Sequence, residues 1–340
     1  MTKAAIIGDL HLSDRAVGRY IDYFQNCMEV CEQITNLIIH EGITHLFFAG
    51  DVVGIADSTN FKTQGARLAV IQLFKQWNVL CKNNVYSICG NHDTGSAIGD
   101  FEILRGAGLI KSVPDVIVGG FKFHLVDYGD DNRALDVNEE YVNIAITHSF
   151  FKVENQTNYI PIPDGVELSN MHNFKGVAVV ANGHIHYPSN GYMTTSLDGR
   201  DISLLNLGSP TRPSAAETYS TVPVLICETT EKDGVIETFE NVACLNLRPK
   251  AELYRADAPS AEVAVSVADE EIANITELNR ILSEIESIGV SSELSYKEQL
   301  ARFSNNNEEA VNLAYEYIEK AQAKFNGALP ESEAKPNLTM

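Results

Sequence analysis

Five short segments carry side chains able to hold a cation or move a proton. They are Asp9-Leu10-His11, Gly50-Asp51, Gly90-Asn91-His92-Asp93, Thr147-His148 and Gly183-His184-Ile185-His186, and each follows an apolar run. The clearest is Val85–Asp93, VYSICGNHD, where β-branched and aromatic residues stop at a glycine followed by three polar side chains. That is the pattern of a buried strand delivering a site at its C-terminal end. Alone it would read as a polar turn, since short motifs recur by chance. The same kind of ending in four other segments argues for one shared site.

Residues two apart on an extended chain point to the same side, so Asp9 and His11 can reach one ion. His184 and His186 have the same spacing. A two-metal hydrolase needs a carboxylate that bridges ions about 3.5–4 Å apart, with imidazole, carboxylate and amide ligands completing each shell. Asp51 is the natural bridge. Asp9, His11 and one of the last two histidines could complete one shell; Asn91, His148 and the other histidine could complete the second. Oxygen and imidazole donors without thiolate suit Mn²⁺, Fe²⁺, Zn²⁺ or Ni²⁺ better than Ca²⁺. His92 is left without a necessary metal role and could protonate a leaving oxygen or steady phosphoryl charge. Asp93 could fix its tautomer by accepting a ring N–H.

Strands must deliver these segments. Lys3–Ile7, Thr44–Ala49, the run from Val85, Asn143–Thr147 and Val177–Ala181 read as strands, and helical spacing predicts helices over Val17–Ile39, Thr63–Leu80 and Phe101–Gly106. Gly42 ends the first helix. The β-α-β-α-β rhythm implies parallel strands with right-handed crossovers. Hairpins are expected at Gly119-Gly120, Asp198-Gly199 and Asp233-Gly234. Phe150–Phe174 shows no period and contains two prolines, which reads as a long surface loop shaping a substrate rim. The mixture predicts an α/β protein of two sheets, its site residues gathered along one edge.

Composition sets the outer bounds. The 340 residues are 44% hydrophobic, as in a soluble globular protein, and no apolar run approaches a membrane span. The start, MTKAAIIGDLHL, turns polar too soon for a secretory signal, so a cytoplasmic protein is expected. Six cysteines without CxxC spacing read as free, mostly buried thiols. A formal charge of −21 argues against a general nucleic-acid-coating surface. Bound cations and a local basic patch can still hold a phosphate, so any DNA contact should be local and salt-sensitive. Arg212 either holds a phosphate or is a surface arginine after a turn. His40, His45, His124 and His172 read as structural or solvated. A catalytic domain is expected over 1–245, a mainly helical accessory part over 246–326 and a disordered tail over 327–340. Glu270–Ile288 and Asn307–Phe325 carry apolar stripes at helical spacing, suited to packing on the core or to docking a partner.

Taken in order from Asp9 to His186, D-x-H, GD, GNHD, a lone histidine after a strand and GHxH resemble the calcineurin-like metallophosphoesterase superfamily. The resemblance implies a two-sheet sandwich flanked by helices, here with a helical C-terminal extension, and two divalent ions, Mn²⁺ first among them. It places the first ion on Asp9, His11, Asp51 and His186, the second on Asp51, Asn91, His148 and His184, and gives His92 a part in catalysis. GNHD rather than GNHE, and no Arg-Gly after Gly50-Asp51, argue against the Ser/Thr protein phosphatases. Gly208-Ser209-Pro210 after GHxH, followed by strands and an acidic helical end, is similar to SbcD-type DNA exonuclease subunits and their phage counterparts. Those subunits commonly follow GD with a hydrophobic residue, a phenylalanine and an aspartate or histidine; Val52, Val53 and Gly54 stand here instead. This resemblance implies a metal-dependent DNA nuclease paired with an SMC-like coiled-coil ATPase, in the host cytoplasm if phage-encoded, with a homodimer left open. The alternatives are a phosphoesterase for a small nucleotide or phosphoprotein, and a scaffold that kept the fold without the chemistry. The intact ligand set counts against the scaffold.

Overall fold

The computed structural model describes residues 2–253, apart from 16, 18, 19, 56–60, 94–98, 154–164, 215, 216, 233 and 234. The chain divides into two units, Met1–Ala258 and Pro259–Met340. The helices expected over Glu270–Ile288 and Asn307–Phe325, and the tail from 327, lie outside the described residues. Leu247 and Leu253, beyond the boundary expected at 245, are buried in the core of the first unit. Among the described residues no helix is long and apolar enough to cross a membrane.

In chain order the elements are β1 (Thr2–Ile7), α1 (Tyr23–Glu41), β2 (His45–Phe48), α2 (Gln64–Leu80), β3 (Val85–Ser87), α3 (Asp100–Gly106), β4 (Asp115–Val118), β5 (Phe121–Leu125) and β6 (Val142–His148). There follow β7 (Phe151–Lys152), β8 (Val166–Glu167), β9 (Val179–Gly183), β10 (Met193–Leu197), β11 (Arg200–Asn206), β12 (Thr221–Lys232), β13 (Val235–Asn246) and α4 (Lys250–Leu253). One five-stranded sheet has the order β13-β12-β1-β2-β3, and a six-stranded sheet the order β10-β11-β9-β6-β5-β4. The strands that carry site residues are parallel within each sheet: β1 with β2, β2 with β3, and β6 with β9.

Both faces of the first sheet are covered, which is why its strands are unbroken apolar runs rather than alternating ones. Alternate residues divide between two cores. Ala5, Ile7, Leu46, Phe48 and Val85 face α1 and α2, whereas Ala4, Ile6, Phe47, Tyr86 and Ile88 face the second sheet. From that sheet Phe121, Phe123, Ile144, Ile146, Val179 and Ala181 meet them. The expected two-sheet α/β architecture is what the chain adopts.

Three details differ from the sequence reading. The first helix starts at Tyr23, not Val17, because the Asp22 side chain caps it by accepting the Gln25 N–H at 3.0 Å. Val17 and Ile21 mimic helical spacing, but Ile21 is exposed and gives its N–H to the Leu253 carbonyl. The segment Phe150–Phe174 is more than a surface loop. In its described parts β7 pairs with β8, two single-turn 3-10 helices follow, and Phe151, Leu168 and Phe174 are fully buried against the outer face of the second sheet. Two-residue strands and single-turn helices are too short to show a period. Finally, β12 and β13 run twelve residues each, beyond the Val222–Glu228 and Val235–Phe239 that the apolar pattern marks, and Thr229 in the added length of β12 accepts the Gly120 N–H.

Candidate metal centre

The strands β1, β2 and β3 end in the Asp9, Asp51 and Asn91 turns, and β6 and β9 end at His148 and Gly183, which face each other in register. Three of the delivered residues, His11 (φ 46°), Asp51 (φ 46°) and His184 (φ 71°), hold the left-handed backbone region, which non-glycine residues adopt at a cost. Packing pays for that strain. Gly90 and Gly183 are glycines because a Cβ would come within 2.1 Å of Asp51 Oδ1 and 2.3 Å of the Ala49 carbonyl, respectively.

These turns bring the donors together in two clusters, Asp9 with His11 and His186, and Asp51 with His148 and His184. In the first, His11 Nε2 and His186 Nε2 stand 2.9 Å apart, and His186 Nε2 lies 3.9 Å from Asp9 Oδ2. In the second, His148 Nε2 lies 2.9 Å from Asn91 Oδ1, 3.1 Å from Asp51 Oδ2 and 3.2 Å from His184 Nδ1. Asp51 Oδ2 is also 3.7 Å from His11 Nε2, so one carboxylate oxygen lies between the clusters.

The outer ring nitrogens decide what faces inward. His11 Nδ1 donates to the Gly54 carbonyl at 2.9 Å, His148 Nδ1 to the Ala49 carbonyl at 2.8 Å, and His186 Nδ1 to Glu217 Oε1 at 2.6 Å. Those acceptors hold the proton on Nδ1 and turn the Nε2 lone pairs of His11 and His186 toward each other. Burial opposes charge on His186, but Glu217 and Asp9 outweigh it and raise that imidazole, so a proton on its Nε2 is one species that can lie between the rings. Lone pairs so arranged repel unless a positive species lies among them. Donors sharing one ion at about 2.0–2.2 Å stand about 2.9–3.5 Å apart. The His11–His186 pair and the contacts of His148 Nε2 have that spacing, while Asp9 Oδ2 stands 3.9 Å from His186 Nε2. Asp9 Oδ1 is buried without a hydrogen-bond partner and so is open to a cation; His184 Nε2, also without one, is the outer nitrogen of a ring whose Nδ1 faces His148.

The titration behaviour fits. Burial, reinforced by the Asp51 charge and opposed by His148, raises the Asp9 carboxyl to about 7. Burial lowers His11 to about 3 and, with His148 beside it, lowers His184 to about 3. Burial also opposes charge on His148, but Asp9 and Asp51 outweigh it and raise that imidazole to about 9. A proton on His148 is one answer to this crowding; divalent cations are the other, and they satisfy every donor at once.

His92 lies beside the clusters rather than in them. Its N–H donates to Asp51 Oδ1 at 2.8 Å, and its ring meets that of His11 edge-on at 5.2 Å. Asp93 has a task that the sequence did not announce. Its buried carboxylate accepts N–H groups from Gly90 (3.0 Å), Val53 (3.3 Å) and Val52 (3.4 Å), clasping the Asp51 turn to the Asn91 turn. Arg212 neither binds a phosphate nor lies at the surface: it is buried, and its guanidinium donates to the carbonyls of Tyr219 and Arg248.

Several supporting residues escaped the sequence reading. Glu217, buried and bonded to His186, stands alone in a loop with no motif around it. Asn206 donates to the Ile185 and Tyr187 carbonyls and so holds the His184–His186 turn, while Asn182 donates to the Ser149 carbonyl beside His148. Ser209 Oγ donates to the Asp9 carbonyl and Thr211 Oγ1 to the Leu10 carbonyl, which gives Gly208-Ser209-Pro210 its place behind β1. At the rim, the half-exposed rings of Phe150 and Tyr128 lie 3.9 and 5.4 Å from the His184 ring.

Residues 2–188 match the calcineurin-like phosphoesterase family, and the chain belongs to it. Among solved structures, the chain is similar to a double mutant of Vps29 from Entamoeba histolytica. The match has 15% identity and a TM-score of 0.31, and covers 71% of this chain and 99% of that one. No curated protein matches it.

Proposed function

We propose that this protein is a two-metal phosphodiesterase acting on DNA. The observation that carries the reading is the pair of donor clusters joined by Asp51. Asp9, His11, Asp51 and His186 would hold one ion, and Asp51, Asn91, His148 and His184 the other. When bound, such ions supply Lewis-acid stabilisation of phosphoryl oxygens and lower the pKa of water. The chain's own part is to orient the diester beside the two clusters and to offer His92, whose backbone N–H is tied to Asp51, as proton donor or charge stabiliser for the leaving oxygen. Mn²⁺ is the metal we favour, with Fe²⁺, Zn²⁺ and Ni²⁺ as alternatives of the same ligand class.

DNA as the substrate is supported by the order of motifs, by Gly208-Ser209-Pro210 and by the exposed aromatic rim, since rings beside a phosphodiester site suit base stacking. By the same likeness to SbcD-type subunits we assign the chain an SMC-like ATPase partner, docked through the apolar stripes of Glu270–Ile288 or Asn307–Phe325. The deciding assay incubates the purified chain with Mn²⁺ and either linear DNA or a generic aryl phosphodiester. Hydrolysis of both supports the nuclease reading. Cleavage of the aryl diester alone moves the substrate to a small nucleotide or phosphoprotein. Cleavage of neither returns the chain to a scaffold.

A further inference from the structure

The two donor clusters differ in what stands behind their histidines. His11 and His148 donate their outer N–H to the carbonyls of Gly54 and Ala49, which are neutral. His186 donates to a carboxylate, Glu217 Oε1, at 2.6 Å. Glu217 is itself 2% exposed, and its other oxygen accepts the Ser214 N–H at 3.2 Å. Among the described residues its ion-pair partner is His186, and neither a lysine nor an arginine pairs with it. A carboxylate buried on those terms is costly unless positive charge reaches it. The nearest route for such charge is through the imidazole, from a proton or a metal ion on its far nitrogen.

We propose that Glu217 is a positioning residue which, through His186, makes the Asp9–His11–His186 cluster hold its cation more tightly than the Asp51–His148–His184 cluster does. A carboxylate on the outer N–H fixes the tautomer and the ring orientation and makes the inner nitrogen a better donor; a backbone carbonyl does the same more weakly. Occupancy should therefore be sequential, the first cluster filling at metal concentrations that leave the second open. This rests on the two-metal reading above.

The test is a calorimetric titration of the full chain, stripped with EDTA and dialysed, with Mn²⁺ alone. Wild-type protein should show two classes of site. Glu217→Gln keeps the shape and one acceptor, and should weaken the tighter class by about ten- to a hundredfold while leaving the weaker class unchanged. Two unchanged classes would overturn the proposal. So would parallel weakening of both classes with a lower melting temperature of the metal-free chain, the signature of a merely structural role. If Glu217→Gln does not fold, Glu217→Asp decides by the same readings: loss confined to the tighter class supports the proposal, and two unchanged classes overturn it. Wild-type protein that binds no Mn²⁺ would instead remove the two-metal reading itself.

Discussion

The two sheets contribute unequally to the centre. The turns after β1, β2 and β3 supply every oxygen donor, Asp9, Asp51 and Asn91, together with His11, whereas the turns after β6 and β9 supply imidazoles alone. Neither sheet can assemble a cluster by itself: Asp9 and His11 need His186, and Asp51 needs His148 and His184. The supports differ in the same way. Asp93 clasps the first set through backbone N–H groups, while side-chain amides, Asn182 and Asn206, pin the second through backbone carbonyls. The difference teaches that the site is a property of the interface between the sheets. What holds them in register is the core of Ala4, Ile6, Phe47, Phe123, Ile146 and Ala181.

The comparison breaks most completely at Asp51, whose Oδ2 lies 3.7 Å from His11 Nε2 and 3.1 Å from His148 Nε2. Asp51→Ala should lose metal and all measurable hydrolysis, and EDTA should do the same to the wild-type chain, reversibly on adding Mn²⁺. Elemental analysis beside the activity assay checks both. Full turnover in a verified metal-free sample would end the two-metal reading. His92→Ala comes next in size. It should keep its metal and lose about two to four orders of magnitude in turnover, the usual scale for a general acid or charge stabiliser. Metal loss equal to that of Asp51→Ala would move His92 among the ligands.

A smaller effect separates the interface from the rest of the core. Phe123, fully buried between the sheets and stacked on Phe47 at 4.6 Å, and Phe74, fully buried on the inner face of α2 against Trp77 at 4.9 Å, are matched in size and burial. Each truncation to alanine should cost about 3–5 kcal/mol in stability, read by denaturant unfolding. Only Phe123→Ala should also weaken Mn²⁺ binding by the folded protein, because only that cavity lets one sheet shift on the other. Equal metal affinity in the two variants would show that the turns, not the interface, hold the geometry.

How much was readable in advance follows from where each residue's reason lies. Asp9, His11, Asp51, Asn91, His148, His184 and His186 stand at strand ends, so a local pattern marks them, and the structure brings them into two neighbouring clusters. The parallel rhythm of β1, α1, β2, α2 and β3 was legible for the same reason. Glu217 was not, because its meaning comes from a contact made 31 residues away from His186 and from burial that no neighbour announces. Arg212 misled in both of its readings, since a guanidinium buried on carbonyls looks, in sequence, like any arginine after a turn. The Phe150–Phe174 segment hid its buried face because its turns are too short to repeat.

The smallest expected effect lies at the rim, and it sharpens the contrast between a centre built by the fold and a substrate surface laid upon it. Phe150 and Tyr128 are 49% and 44% exposed, and both rings lean on His184, a member of the cluster nearer to them. Exposed aromatic area at such a place costs hydration and returns nothing to the core, so a ligand face is the economical account of it. Base stacking on an aromatic side chain contributes about 1–3 kcal/mol per base. Replacing both rings with alanine should therefore raise KM for an oligonucleotide by about five- to a hundredfold while leaving kcat within the same order. The aryl phosphodiester, which carries no base, separates the two explanations of any change. If its hydrolysis is unaffected, the rings read the substrate. If both substrates lose kcat in parallel, the rings were packing His184 in place, and the rim belongs with the turns that build the centre.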